Sequence, residues 1–206
     1  MKKKKEVQKE SGFVLVAALL ILLVLTLMGI AVNRSTMTEW RIAMNDRLHK
    51  ETFYAADGGT ELAQEILEQN IACLIFTPDS SLPGNRIALQ GNGFNILVND
   101  ALELWRNFGS AALPSDGDHD LCFPFNGTDC LGGSRTNINI AGNTKLTSGA
   151  AIQMAAGYEG RGKALASGGS RLLYDINTQR VGRDNSESMI CVNYEHVLGS
   201  EGDCYY

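Results

Sequence analysis

The sequence predicts an α+β chain, with one long N-terminal α-helix packed along its second half on a small antiparallel β-sheet. Three observations carry that expectation. Residues 13–32 read FVLVAALLILLVLTLMGIAV, twenty residues without a charge. Residues 33–70 contain no proline and repeat apolar positions at helical spacing. From Thr136 onward, short apolar–polar alternations separated by glycine-containing turns read as strands.

The apolar run has the length of a membrane span. At 1.5 Å rise per residue, twenty residues cover about 30 Å, the thickness of a bilayer's hydrocarbon core. A buried helix of a water-soluble domain is rarely apolar on every face for that length. Lys2, Lys3, Lys4, Lys5 and Lys9 precede the run, and Arg34 is the first charge after it. The positive-inside rule then keeps the N-terminus in the cytoplasm and places the bulk of the chain across the membrane. An ordinary secretory signal fits poorly. The run exceeds the usual apolar core of such signals and ends in Asn33-Arg34-Ser35, with no small-x-small cleavage site. Residues 1–12 read instead as a short basic leader that a peptidase removes, and residues 13–32 stay in the product.

Past the run, Trp40, Met44, Leu48, Ala55, Leu62 and Ile66 continue the helical pattern. Asp46 and Lys50, four apart with the acid first, support its exposed face. A single helix from Phe13 to Gln69 would be about 85 Å long. Gly58-Gly59 is its weak point, costing about 1 kcal/mol per glycine relative to alanine, and a break there is one expectation. Residues 71–206 form the extracytoplasmic domain. Residues 79–135 are rich in turn signals and hard to read, and Ile96–Trp105 fits either a strand or a short helix. Beyond them, Ile138 and Ile140 alternate with asparagine, and Arg171–Thr178 and Met189–Val197 read as strands. Gly168-Gly169 and Gly182–Ser186 supply turns.

Charge narrows the partners. The formal net charge is −5, and removing residues 1–12 takes away five Lys and two Glu, leaving 13 basic against 21 acidic residues and a net of −8. An acidic exterior without a basic stripe argues against nucleic acid. Five cysteines, at 73, 122, 130, 191 and 204, all follow the membrane run. On the oxidising side, nearby pairs are expected to bond, so the spacing suggests Cys122–Cys130 and Cys191–Cys204, with other connectivities open. Cys73 is left over as a small buried thiol at a helix end.

Catalytic motifs are lacking: the sequence has no GxSxG elbow, HExxH helix or P-loop. His49, His119 and His196 lie far apart without acids at motif spacing, and read as structural. The chain is therefore not expected to be an enzyme. One acidic segment, Ser115-Asp116-Gly117-Asp118-His119-Asp120, has carboxylates at i, i+2 and i+4 that can converge on calcium. Leu121 stands where an EF-hand needs its turn glycine, and Gly127 where it needs its bidentate glutamate. A solvated acidic turn is the preferred reading, with calcium at Asp116, Asp118 and Asp120 the alternative and no other cofactor expected.

The junction at Ser11-Gly12-Phe13, basic before and uncharged after, resembles the class III leader of type IV pilins. That resemblance implies cleavage between Gly12 and Phe13 by prepilin peptidase, and N-methylation of Phe13. The likeness continues through Arg47–Leu67. There Phe53-Tyr54-Ala55-Ala56-Asp57-Gly58-Gly59 is similar to the A-A-E-A-G-like block of PilX-type minor pilins, with Asp57 where Glu is usual and Gly58 where Ala is usual. Residues 174–182 are similar, more weakly, to that family's terminal sheet hairpin. Most pilins carry a glutamate at the fifth residue after cleavage, to neutralise the amino terminus of a neighbouring subunit; here that residue is Ala17. A subunit with no earlier subunit to dock beneath can dispense with it, and its absence is usual in PilX-type proteins.

The resemblance implies a type IV pilin-like fold and a minor pilin that helps initiate a type IV pilus or sits at its tip. It would wait as a single-pass protein in the bacterial inner membrane, then pass to the filament. The implied partners are other minor pilins, the major pilin, the inner-membrane assembly platform, prepilin peptidase and a large tip adhesin. Two alternatives remain: a minor pseudopilin of a type II secretion system, and a single-pass anchored module serving cell adhesion. Which pilus function is served, twitching motility or adhesion among them, is left open.

Overall fold

The computed structural model describes residues 11–91, 94–100, 104–127, 129–146, 170–197 and 202–205. Its first element is one α-helix, α1, Ser11–Cys73. Helix geometry continues through Gly58 and Gly59, so the break considered there does not occur. The helix ends where Leu74 turns left-handed, φ 65°, a conformation that usually falls to glycine at this position. Nε1 of Trp105 donates to the Leu74 carbonyl at 2.7 Å, just past the helix end.

Six antiparallel strands follow: β1 Ile87–Gly91, β2 Phe94–Val98, β3 Leu121–Phe123, β4 Arg135–Leu146, β5 Ser170–Val181 and β6 Glu187–Val197. They lie side by side in chain order, each bonded to the next. The combination is α+β and consistent with a type IV pilin-like fold. The ambiguous stretch Ile96–Trp105 takes both forms: Ile96–Val98 ends β2, and Leu104–Arg106 is one 3-10 turn. The expected turn at Gly168-Gly169 lies outside the described residues.

The chain divides into two compact units, Met1–Arg47 and Leu48–Tyr206, with the boundary inside α1. In the first, nearly every described side chain is exposed, Trp40 and Met44 included. The apolar spacing at those two positions therefore does not mark the packed face. In the second unit the buried stripe of α1 begins at Thr52 and continues through Ala56, Gly59, Thr60, Ala63, Ile66, Leu67 and Asn70. Ala55 and Leu62, expected on that face, lie only half-buried on its flank. The stripe's centre is small, and its smallest member sits where the sheet comes nearest. A Cβ built on Gly59 would stand 2.9 Å from Thr178 Cγ2 and 3.0 Å from Thr136 Cγ2.

The core lies between this stripe and one face of the sheet. Ile138, Ile140, Leu172, Tyr174 and Ile176 pack with Ile66, Leu67 and Phe76. At about 25 cal/mol per Å² of apolar surface removed from water, each such side chain contributes about 1.5–3 kcal/mol. The middle of the opposite face of β4 and β5 carries three buried asparagines. Asn137, Asn139 and Asn177 are covered by the crossing segment 107–120 and bond to it. The alternation Asn-Ile-Asn-Ile thus separates a helix face from a loop face.

Candidate functional site

In the first unit the helix begins at Ser11, so Gly12 and Phe13 are both helical. Residues 1–10, the greater part of the expected leader, lie outside the described residues. Large apolar side chains stay exposed along the whole run; Phe13 is 79 % accessible and Val32 65 %. Such a surface is unstable in water, and lipid or other apolar helices are the surroundings that suit it. The helix is long and apolar enough to cross a membrane. Thr26, the one polar side chain of residues 13–32, donates its hydroxyl to the Leu23 carbonyl at 2.8 Å. No hydroxyl in the run is left needing water.

The Ala55–Gly59 block has two faces. Ala56 and Gly59 are buried toward the sheet, whereas Asp57 and Gly58 face outward. The residues that depart from the family-like block, Asp57 and Gly58, are thus the ones with room to vary. A Cβ on Gly58 would meet nothing within 4 Å. Tyr54 is exposed on the same turn, and Phe53 packs edge-on against it with ring centres 5.7 Å apart.

The acidic segment does not gather its carboxylates. Asp116 makes a two-pronged ion pair with Arg135 and accepts from Asn137 Nδ2 at 3.0 Å. The Arg135 hydrogen bond holds the Asp116 carboxyl below the ordinary carboxylate value, against the opposing effect of burial. Asp120 turns the other way. Its Oδ2 accepts the Ile140 backbone N–H at 2.8 Å, and burial pushes its carboxyl above the usual range. Asp118 sits on a tight turn closed by Ser115 N–H to the Asp118 carbonyl, 2.9 Å. Among the described residues no three His, Cys, Asp or Glu side chains are grouped so as to hold a metal ion. Of the calcium candidates Asp116, Asp118 and Asp120, the first and the last bond to separate partners on β4. Two open clefts, about 440 and 640 Å³ with their mouths included, flank Asp120 and Asn107.

The cysteines require a correction. Cys122 bonds Cys130, but Cys204 bonds Cys73 across 131 residues, and Cys191 is a free, exposed thiol. The expected Cys191–Cys204 bridge rested on nearness in sequence. Strand alternation defeats it, because Cys191 falls on the exposed face of β6 with Glu187, Met189, Asn193 and Glu195. The chain's C-terminal stretch runs instead past the end of α1, where the Tyr205 backbone N–H donates to Gln69 Oε1 at 3.2 Å.

The histidines divide. His49 is exposed on α1, and His119 Nδ1 lies 3.0 Å from the Ser115 carbonyl. His196, on the inward face of β6, has its side chain 1 % accessible and stands 2.8 Å from Glu68 of α1. Tyr194, two residues earlier on that face, donates its hydroxyl to the same Glu68 oxygen. Burial holds the phenols of Tyr194 and Tyr174 well above their ordinary range, and the Glu68 charge adds to it. Sequence reading missed this cluster. Its only trace is a polar pair at i, i+2 on a strand whose partner, Glu68, lies 126 residues away.

Residues 11–61 match the family model described as PilX N-terminal, 51 of 206 residues. The match ends inside α1, relates the chain to the pilins of type IV pili, and is consistent with a PilX-type minor pilin. That family is one of structural pilins. No curated protein and no solved structure matches the chain.

Proposed function

We propose that this chain is a PilX-type minor pilin that helps initiate a type IV pilus or sits at its tip. The observation that carries the reading is the helix from Phe13 to Val32: uncharged, exposed on all sides and entered through Gly12. On this reading prepilin peptidase cuts between Gly12 and Phe13, and Phe13 is N-methylated. The helix anchors the subunit in the inner membrane, N-terminus cytoplasmic, with the disulfide-bonded domain on the far side. It then leaves lipid for a filament core of like helices. Ala17, Ala18, Gly29 and Ala31 allow those helices to approach closely.

Ala17 supports initiation over elongation. A carboxylate in hydrocarbon is costly without a partner, and a first subunit has no earlier amino terminus to neutralise. Other minor pilins, the assembly platform and a tip adhesin are the partners this role needs. The test is a deletion strain complemented with the wild-type chain, Ala17→Glu or Gly12→Val. Wild type should restore surface pili, Ala17→Glu should restore few, and Gly12→Val none. Normal piliation in the uncomplemented deletion strain would overturn the assembly role.

A further inference from the structure

The β5–β6 hairpin closes through Gly182–Ser186, with Asp184 and Asn185 both left-handed at φ 53° and 56°. The Gly182 N–H donates to the Ser186 carbonyl at 2.7 Å, and the Ser186 N–H to the Arg183 carbonyl at 2.9 Å. Beside this turn, against the Glu51–Thr52 part of α1, is an open cleft of about 230 Å³, mouth included. Two arginines line it in a domain whose charge is otherwise acidic.

Arg180 is the unusual member. Its guanidinium is half-buried and spends one donor, Nη1, on Thr136 Oγ1 at 3.0 Å. No carboxylate among the described residues lies within 4.0 Å of it, and burial lowers its pKa against the pull of Glu51. Among the described residues Thr136 Oγ1 is the one acceptor this guanidinium meets, which leaves four of its five N–H donors for other partners. A partly desolvated guanidinium that Glu51 attracts without pairing is costly, and a bound anion relieves it. Arg183 opens onto the same cleft and holds Glu51 only loosely, 3.8 Å apart. Asp184 lies in the turn itself, and Glu187, the residue after Ser186, accepts from Gln179 Nε2 at 2.7 Å. The Ser134 hydroxyl has no partner among the described residues, whereas Thr52 and Ser186 already donate theirs to backbone carbonyls.

We propose that this cleft is a binding site for a phosphate-class oxyanion, with Arg180 and Arg183 as its cationic donors and Ser134 as a neutral one. The planar fork of Arg180 matches two oxygens of one tetrahedral anion, and Arg183 closes over it by displacing Glu51. The anion can be free phosphate or the headgroup of an acidic phospholipid. The site is independent of the pilin reading.

The probe is the arginine Nε–H resonances of the full chain. Inorganic phosphate is titrated into protein held in dodecylmaltoside micelles, with sodium chloride at matched ionic strength as control. In parallel the protein is placed in nanodiscs of phosphatidylcholine with or without phosphatidylglycerol. A saturable shift of Arg180 and Arg183 with phosphate, absent with chloride, is the expected result. Arg180→Gln should weaken it by about tenfold or more, as loss of a charged hydrogen bond does. Arg183→Gln lies on the exposed turn, keeps the fold intact and should weaken it as well. A shift on phosphatidylglycerol alone assigns the site to a lipid headgroup. No shift with either source, or an equal shift with chloride, overturns the proposal.

Discussion

Glu68, on α1, and His196, near the end of β6, meet at 2.8 Å although 128 residues separate them. The contact joins the helix to the edge strand, and Tyr194 shares the same carboxylate oxygen. Removing the carboxylate takes away an oxygen that both a buried imidazole and a phenol contact. Glu68→Ala should therefore cost about 2–3 kcal/mol of unfolding free energy. Glu68→Gln keeps an acceptor and should cost less. A double-mutant cycle of Glu68→Ala with His196→Ala, read by urea unfolding of the full chain in detergent, should show coupling. Strict additivity would mean the pair contributes nothing.

Gly58 and Gly59 are adjacent and should respond in opposite ways. Gly58 is exposed mid-helix with open space at its Cβ, so Gly58→Ala should stabilise by about 0.5–1 kcal/mol. Gly59 faces two β-branched threonines that have little room to move. Gly59→Ala should lose that gain, and Gly59→Val should destabilise outright. Equal stabilisation by both alanines in thermal unfolding would show that the sheet does not approach as closely as the core geometry requires.

The disulfides are distinguishable by chemistry. Non-reducing peptide mapping should recover Cys73 linked to Cys204 and Cys122 linked to Cys130. A thiol reagent should label Cys191 in the folded protein. Cys73→Ser should cost about 3–5 kcal/mol, because its bridge closes the longer loop by far. A peptide linking Cys191 to Cys204 would contradict this connectivity.

Asp116 and Asp120 should oppose each other as pH changes. The folded-state pKa of Asp116 is lowered, so its stabilisation is present above the unfolded value near 3.8 and lost as pH falls through the folded one. The carboxylate is substantially exposed, so solvent screening limits its worth to about 0.5 kcal/mol. The folded-state pKa of Asp120 is raised. Its contribution is fully present below the unfolded value and lost as pH rises through the folded one. Asp120→Asn should accordingly be neutral or stabilising at pH 7 and flatten the loss that sets in as pH rises above the unfolded value. Asp116→Asn should be mildly destabilising at pH 7 and lose its difference from wild type as pH falls through the folded-state value. Unfolding midpoints across that range check both.

What was legible in the sequence was what local pattern encodes. Twenty uncharged residues announce an apolar helix, and alternation of Asn with Ile at 137–140 announces a strand with two unlike faces. The strands β4, β5 and β6 could be found because each is long and alternating. The short strands β1, β2 and β3 could not, since three to five residues carry too little periodicity. Long-range pairings were out of reach for another reason. Cys73–Cys204 and Glu68–His196 depend on where the end of α1 meets the end of the sheet, and spacing along the chain says nothing of that. The buried Asn face of β4 and β5 was likewise invisible, because its cover, segment 107–120, has no regular structure to read.

The central claim is that the helix opening at Phe13 is the processed end of a pilin. Mass spectrometry of the protein purified from membranes of cells with active prepilin peptidase tests it directly. The account predicts a mature chain that begins at Phe13 with an N-methyl group. A chain that begins at Met1 in those cells would contradict it.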